Sequence, residues 1–376
     1  MTDDLFAALV EAAARAPSAD NMQAWEFGRR ADAIEAFLEP RRVLPTDVGA
    51  MFGWVGLGAA VENVVITAAR RGFTARVEYG DVARTGAPPA LLQLSRGGAD
   101  DPLAYWIPER VTDRGPYAPE PLDPPRLARL DAAARGLDVG VHWITAREGL
   151  AAMAAMDARS TYIRLEHGPL RDEVFSVLRF TRQEVESTRY GLDFEALGVP
   201  SALVLLARWL RHSSINEAAS RLGFGRAVAR VLASRLRAAG ALCLVTARRD
   251  GPSGYVEAGR AMERIWLTAA SMGLAVQPHG VLPQYLTKLE AEPEAFLPRH
   301  AATLRGHREP FYALFPEARG ERLAIILRVG NPVGPPPRRS VRLPRERLLR
   351  AQVWSASSGS CPTGSPERGR RLGLTA

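Results

Sequence analysis

The sequence predicts an α+β fold that is internally duplicated and carries a large helical insertion. Three observations lead there. Strand-like and helix-like runs alternate along the 376 residues. One sixteen-residue helical pattern occurs twice. Residues 151–240, between two strand-like runs, read as helical almost throughout.

The first element is a helix over Leu5 to Arg15, with Leu5, Phe6, Leu9, Val10 and Ala13 at helical spacing. Pro17 disfavours helix at Ala16, so the chain turns there. Ser18, Asp20, Asn21 and Gln23 follow, ending at Trp25. Such a cluster fits a polar loop after a helix end. It fits equally a pocket that hydrogen-bonds a planar, heteroatom-rich ligand.

The repeat comes next. Residues 58–73 and 259–274 share seven of sixteen positions, Gly58/Gly259, Glu62/Glu263 and Thr67/Thr268 among them. Both copies end in Gly plus an apolar residue, a helix C-cap signature. Buried Ala-rich helices resemble one another, but matching Glu and Thr at equal offsets points to duplication. Strands are expected at 74–79, 90–94, 139–144, 242–247 and 323–329. Pro119 to Pro125 is proline-rich and precedes a helix over Arg126 to Arg135. The insertion holds amphipathic pieces at Arg171–Tyr190 and Ala218–Ala239, and an apolar stretch at Val199–Leu210. An insertion of that size forms either a lid or a packed helical subdomain. From Val353 onward the Ser, Gly, Pro and Arg content reads as disordered.

Composition excludes several classes. With 47% hydrophobic and 24% charged residues, the chain has the balance of a soluble globular protein. The acidic start Met1-Thr2-Asp3-Asp4 is no secretory signal, and no run of 18 apolar residues occurs. A cytoplasmic protein with no membrane partner is expected. The net charge of +8 sits mainly in the segment from Arg338 to the end, where nine Arg and two Glu leave +7. A basic tail, rather than a basic folded surface, argues against nucleic acid as a partner. Cys243, in an apolar strand, reads as a buried free thiol; Cys361 lies in the tail. His142, also in a strand, reads as structural.

The segment Arg110-Val111-Thr112-Asp113-Arg114 sets two guanidiniums and a hydroxyl at alternate positions. On an extended chain all three can reach one ligand, and paired guanidinium donors suit phosphate or an anionic ring edge. A solvated polar turn is the other reading of those residues alone.

Together these segments resemble the nitroreductase superfamily of FMN-dependent oxidoreductases. Ala16–Trp25 is similar to its Ala-Pro-Ser-x-x-Asn-x-Gln-Pro-Trp motif. Arg110, Thr112 and Arg114 are similar to its Arg-x-Ser-x-Arg motif. Gln277-Pro278-His279-Gly280 resembles its Pro-x-Gly segment, and Ser340-Val341-Arg342-Leu343-Pro344 its C-terminal basic motif. The likeness spans residues 1–150 and 240–345. Ala24 stands where the family has Pro, and the order of the first two motifs is reversed. That order resembles the Acg-like branch, in which one chain mimics the family dimer and an inserted lid covers one flavin site.

The resemblance implies a nitroreductase-like sheet flanked by helices. Its first half would be residues 1–105 and its second 106–345, followed by a disordered basic tail over 346–376. It implies FMN as cofactor and NADH or NADPH as reductant of a small electrophile: a nitroaromatic, a quinone or a specialised metabolite. FMN storage under a closed lid is the alternative, and nucleic-acid binding through the tail a third. It assigns Arg110, Thr112 and Arg114 to the flavin pyrimidine edge, ribityl chain and phosphate. Ser18, Asn21 and Gln23 would hydrogen-bond the same flavin. Pro278 would belong to the same cofactor-binding segment, in which His279 and Gly280 would present backbone donors near N5, and Arg342 would pair with the phosphate. No side chain is assigned as catalytic and no metal is implied. A monomer or a weak homodimer is expected.

Overall fold

The computed structural model describes residues 1–82, 87–197, 209, 215, 219, 223–335 and 337–350. The first half runs α1 (Asp3–Ala14), β1 (Trp25–Arg30), β2 (Ala33–Leu38), α2 (Met51–Arg70), β3 (Phe73–Tyr79) and β4 (Ala90–Arg96). Thr2 caps α1 by accepting from the Leu5 N–H, with Asp3 and Asp4 in the first turn. The four strands form an antiparallel sheet in the order β1-β2-β4-β3. β3 alternates half-buried and exposed residues, so one face of this sheet meets water.

The second half begins with α3 (Pro124–Ala132), β5 (Val139–Ile144) and α4 (Arg147–Glu166). The proline-rich stretch starts α3: Asp123 caps it and Pro124 and Pro125 fill its first positions. The insertion continues with α5 (Gly168–Val177), β6 (Leu178–Arg179), α6 (Arg182–Thr188), β7 (Leu192–Asp193) and α7 (Phe224–Arg237). The expected Arg171–Tyr190 helix is therefore two helices, split at β6; Thr181 starts the second with a full capping box. The apolar Val199–Leu210 stretch and the tail from 351 lie outside the described residues.

After the insertion come β8 (Ala241–Ala247), α8 (Gly251–Ser271), β9 (Ala275–His279), α9 (Val281–Ala291), α10 (Pro298–Leu314) and β10 (Arg322–Gly330). The second sheet is antiparallel, in the order β5-β8-β10-β9. Every residue of β8 is buried, because α8 packs on one face and α4, α7, α9 and α10 on the other. That is why β8 reads as a continuous apolar run rather than an alternation.

The two repeat helices, α2 and α8, cross between the sheets and fill the main core with Val55, Val61, Val64, Val256, Met262 and Trp266. They touch at Gly58 and Gly259, the aligned glycines of the repeat. A Cβ on Gly58 would lie 1.9 Å from the Val256 carbonyl oxygen, and one on Gly259 2.0 Å from that of Val55. Val55 and Val256 are themselves repeat equivalents, so the contact is reciprocal, as at a two-fold axis. Among the described residues Val48–Arg70 is long and apolar enough to cross a membrane, but 72% of its most apolar window is buried in this core. The sequence reading had overlooked it because Gly and Asn interrupt the run.

The tail also departs from expectation. Residues 346–350, expected to be disordered, pack on the first half. Leu348 is fully buried, Leu349 bridges to Phe27, and the Arg350 N–H donates to the Phe27 carbonyl.

Candidate functional site

The loop after α1 is held in an unusual backbone. Asp20, Asn21 and Gln23 have φ of 45°, 57° and 53°, the left-handed region that non-glycine residues seldom occupy. Side chains hold it there. The Ser18 hydroxyl accepts from the Gln23 N–H at 2.9 Å. Asn21 Nδ2 donates to the carbonyls of Gly191 (3.2 Å) and Val341 (3.0 Å), and its Oδ1 accepts from Arg342. Gln23, fully buried, donates to the Arg189 carbonyl at 2.9 Å and accepts from the Leu343 N–H at 2.8 Å. Ala24 is buried, and its carbonyl accepts from the Glu39 N–H just after the β1–β2 hairpin. Trp25 packs in the core.

Asn21 and Gln23, expected to hydrogen-bond a flavin, bond here to protein groups. Both are spent within the protein, tying the insertion (189–191) and the C-terminal segment (341–343) to the loop. An unpaired buried amide costs free energy, and these carbonyls meet the demand.

The Arg110–Tyr117 segment is extended. Thr112 bridges Val276 in parallel, and the Asp113 N–H donates to the Val276 carbonyl at 3.0 Å. The segment thus touches β9 at Thr112 and Asp113. Asp113 and Tyr117 brace the turn: Asp113 Oδ1 accepts from the Gly115 N–H, and the Tyr117 hydroxyl donates to the Asp113 carbonyl.

Arg110 is buried. One nitrogen donates to the Arg15 carbonyl at 2.8 Å, Nε lies 3.4 Å from Glu263, and the guanidinium sits 4.5 Å over the Trp266 ring. Its Nε and Nη1 have no hydrogen-bond partner among the described residues. Arg114 has neither a hydrogen bond nor an ion pair with any described residue; burial lowers its pKa, against an opposing attraction from Asp20. Burial, then repulsion from Arg110, lowers Arg342 to about 9, and its Nε is unpartnered.

β9 ends the site. Pro278 pairs opposite Leu327 on the edge strand, where a missing N–H is tolerated. His279 follows; burial, then repulsion from Arg328 and Arg114, lowers its pKa to about 3, and its Nε2 is unpartnered. Gly280 precedes α9, and Phe52 packs so closely that a Cβ there would lie 2.3 Å from the ring. A side chain at this position would displace the Phe52 ring.

Two residues were missed by the sequence reading. Arg328, fully buried on β10, donates to Gln277 at 3.0 Å and the Gly115 carbonyl at 3.1 Å, and lies 3.5 Å over the Tyr117 ring. Its signal was available: a lone charge in the apolar run 324–329. Asp157, on α4, is buried and stands 4.0 Å from His279 Nδ1. Its signal was a single acid in an Ala/Met-rich helical run.

The field of this region is positive. Arg110 and Arg342 act on one another beside Glu263, and Arg114 and Arg328 both act on His279. Glu263 is raised to about 7 by burial, although Arg110 opposes the shift. Asp20 is engaged by Arg164 of α4 at 3.3 Å. Such a set of buried donors without acceptors fits an anionic, planar ligand with a phosphate. His142 is elsewhere, bonded within 3.2 Å to Thr246 and Glu321 in the second sheet. Cys243 is a buried free thiol. No metal-binding cluster occurs among the described residues.

No family model matches the chain. An uncharacterized protein of Mycobacterium tuberculosis, MT1398, is 26% identical over 274 residues. The match covers 72% of this chain but only 38% of that relative. The chain is also similar to a nitroreductase with bound FMN from Bacteroides fragilis, at 10% identity and a TM-score of 0.33, over 69% of this chain and 100% of the other. It is similar to the FMN- and NADPH-dependent nitroreductase NfnB from Sphigopyxis sp. strain HMH, at 16% identity and a TM-score of 0.37, over 67% and 99%. A third likeness is to iodotyrosine deiodinase bound to FMN and 3-iodo-L-tyrosine, at 15% identity and a TM-score of 0.34, over 68% and 99%.

Proposed function

We propose that this chain is an FMN-dependent oxidoreductase of the nitroreductase type, a pseudo-dimer that reduces a small electrophile at the expense of NADH or NADPH. One observation carries the reading. Buried Arg110 and half-buried Arg342 act on one another, buried Arg328 and half-buried Arg114 act on His279, and Arg110, Arg328, Arg342 and His279 each keep a ring or guanidinium nitrogen without a partner among the described residues.

Arg110, Arg114 and Arg342 would hold the phosphate and the anionic ring edge, with Thr112 between them. His279 and Gly280 would supply backbone donors, and Arg328 stiffens their strand through Gln277. When bound, FMN supplies hydride acceptance and delivery, which no side chain here can provide. The protein's part is to hold positive charge where negative charge accumulates, in a site shielded from water. Ser18, Asn21 and Gln23 act by fixing the loop and the segments that close over it.

A second reading, FMN storage, is favoured by the way the insertion is fastened down. Asn21 and Gln23 grip residues 189–191, Arg164 grips Asp20, and Thr46 donates its N–H to Glu173 at 2.7 Å. Absorbance of the purified protein tests both readings. Flavin bands near one per chain are expected, and a colourless protein that cannot be reconstituted with FMN overturns both. Anaerobic NADH or NADPH then separates them: rapid bleaching supports the oxidoreductase, and persistent colour supports storage.

A further inference from the structure

We propose that Asp157 and His279 form a proton relay, in which the helical insertion supplies the acid and β9 the base that serves the substrate. This deepens the oxidoreductase reading and rests on it for the identity of the final proton acceptor.

The geometry comes from two distant parts of the chain. Asp157 belongs to α4 of the insertion, and His279 ends β9 beside the cationic cluster. Their closest polar atoms, Asp157 Oδ2 and His279 Nδ1, are 4.0 Å apart. Asp157 is 3% exposed and hydrogen-bonds to no described residue. His279 Nε2, on the opposite side of the ring, is also without a partner. Buried polar atoms are ordinarily satisfied, so two open positions at both ends of one acid–imidazole line call for a third participant. A small change of χ angle closes 4.0 Å to a hydrogen bond, as is usual before a substrate is bound.

The electrostatics set the direction. The charged groups that act on His279 are Arg328 and Arg114, both positive, and they join burial in keeping the ring neutral. Burial keeps the proton on Asp157 up to about pH 7. The resting pair is thus a carboxylic acid facing Nδ1 and a neutral ring with its proton on Nε2.

Each two-electron reduction of the acceptor takes up one hydride and one proton. On the proposed reading, FMN reduced by NAD(P)H would supply the hydride. The Nε2 proton passes to the acceptor atom that gains negative charge, while the Asp157 proton passes to Nδ1. Solvent then returns a proton to Nε2, and the Nδ1 proton returns to Asp157.

The test uses nitrogen-15 histidine labelling of the flavin-free chain, with His279 assigned by His279→Gln. Nδ1 is expected to shift with a midpoint at about pH 7 as Asp157 ionises, with the ring neutral throughout. Asp157→Asn should abolish that inflection. In the FMN-loaded protein Asp157→Asn should keep its flavin and its rate of bleaching by NAD(P)H. Its turnover of a quinone should fall ten- to a hundredfold and lose the pH dependence near 7, and Asp157→Glu should restore part of it. An unchanged His279 titration in Asp157→Asn, or loss of FMN as severe as in Arg114→Ala, would overturn the relay. If Asp157→Asn does not fold, the wild-type curve decides, and absence of the inflection overturns it. If the wild type shows the inflection but binds no FMN, the relay stands and the cofactor assignment falls.

Discussion

Gly58 and Gly259 face each other across the crossing of α2 and α8, each leaving space for the backbone of the other helix. A methyl at either position would come within 2.0 Å of a carbonyl oxygen, and backbone cannot rotate out of the way as a side chain can. Alanine normally stabilises a helix by about 1 kcal/mol over glycine. Here the sign reverses. Gly58→Ala and Gly259→Ala should each cost on the order of 3 kcal/mol by overpacking. The double variant should cost less than the sum, because one displacement of the helices relieves both clashes. Gly306→Ala, on the exposed side of α10 with open space around it, should be neutral or stabilising. Denaturant midpoints measure all four.

Glu62 and Glu263 are repeat equivalents with opposite surroundings. Glu62 accepts from Arg260 at 2.7 Å and Arg264 at 2.8 Å. Glu263 has no hydrogen bond on either oxygen and meets Arg110 only at 3.4 Å. Glu62→Gln should therefore cost on the order of 3 kcal/mol, since Arg260 loses its carboxylate and Arg264 keeps only Asp101, beside a fully buried position. Glu263→Gln should cost less than Glu62→Gln at pH 7, because burial raises Glu263 to about 7 and leaves it only part-charged, although Arg110 loses its acidic neighbour. Equal losses in the same denaturation assay would contradict this asymmetry.

Arg114→Ala should weaken FMN binding at least tenfold, measured by fluorescence of released flavin. Its guanidinium hydrogen-bonds to no described residue, and the attraction from Asp20 does not offset its burial. His142→Ala should keep FMN and lose only stability, through its contacts with Thr246 and Glu321. Equal retention would remove Arg114 from the site.

Asp157 also gives stability a pH dependence. Its folded-state pKa is raised to about 7, so between about pH 4 and pH 7 the native chain holds a proton that the unfolded chain has released. The native state binds more protons there, and this group's contribution to stability falls as pH rises through the window. Asp157→Asn should flatten that fall. The variant's stability relative to wild type should be higher at pH 8 than at pH 4 by on the order of 2 kcal/mol. Parallel curves for the two proteins would disprove it.

Where the sequence was legible, one pattern dominated one element. The strand expected at 139–144 is observed at Val139–Ile144, and those at 242–247 and 323–329 are each within a residue of the observed bounds. The repeat located both core helices and, through its glycines, their contact. The β1–β2 hairpin was illegible because its turn uses Ala31 at φ 49° where Gly or Asn would have signalled it. β9 was hidden by Pro278, which reads as a strand breaker until its edge position is known. In the loop, residue types were readable but their partners were not. Nothing near Asn21 or Gln23 in sequence indicates that residues 189–191 and 341–343 will claim their amides.

Those partners lie far downstream: the Asn21 amide bonds across 170 and 320 residues. On a ribosome adding about 5–20 residues per second, the loop waits roughly 16–64 s for its last partner to be synthesised. Until then the loop has its local bonds, such as Ser18 to the Gln23 N–H, and its bonds to 189–191, but not those to 341–343. The amino-terminal half can assemble its sheet early, but not its share of the site. On the proposed reading, cofactor capture waits for residues 341–343, and a truncation that spares the Ala16–Trp25 and Arg110–Arg114 segments but ends before 341 should yield protein that folds in part and binds no FMN.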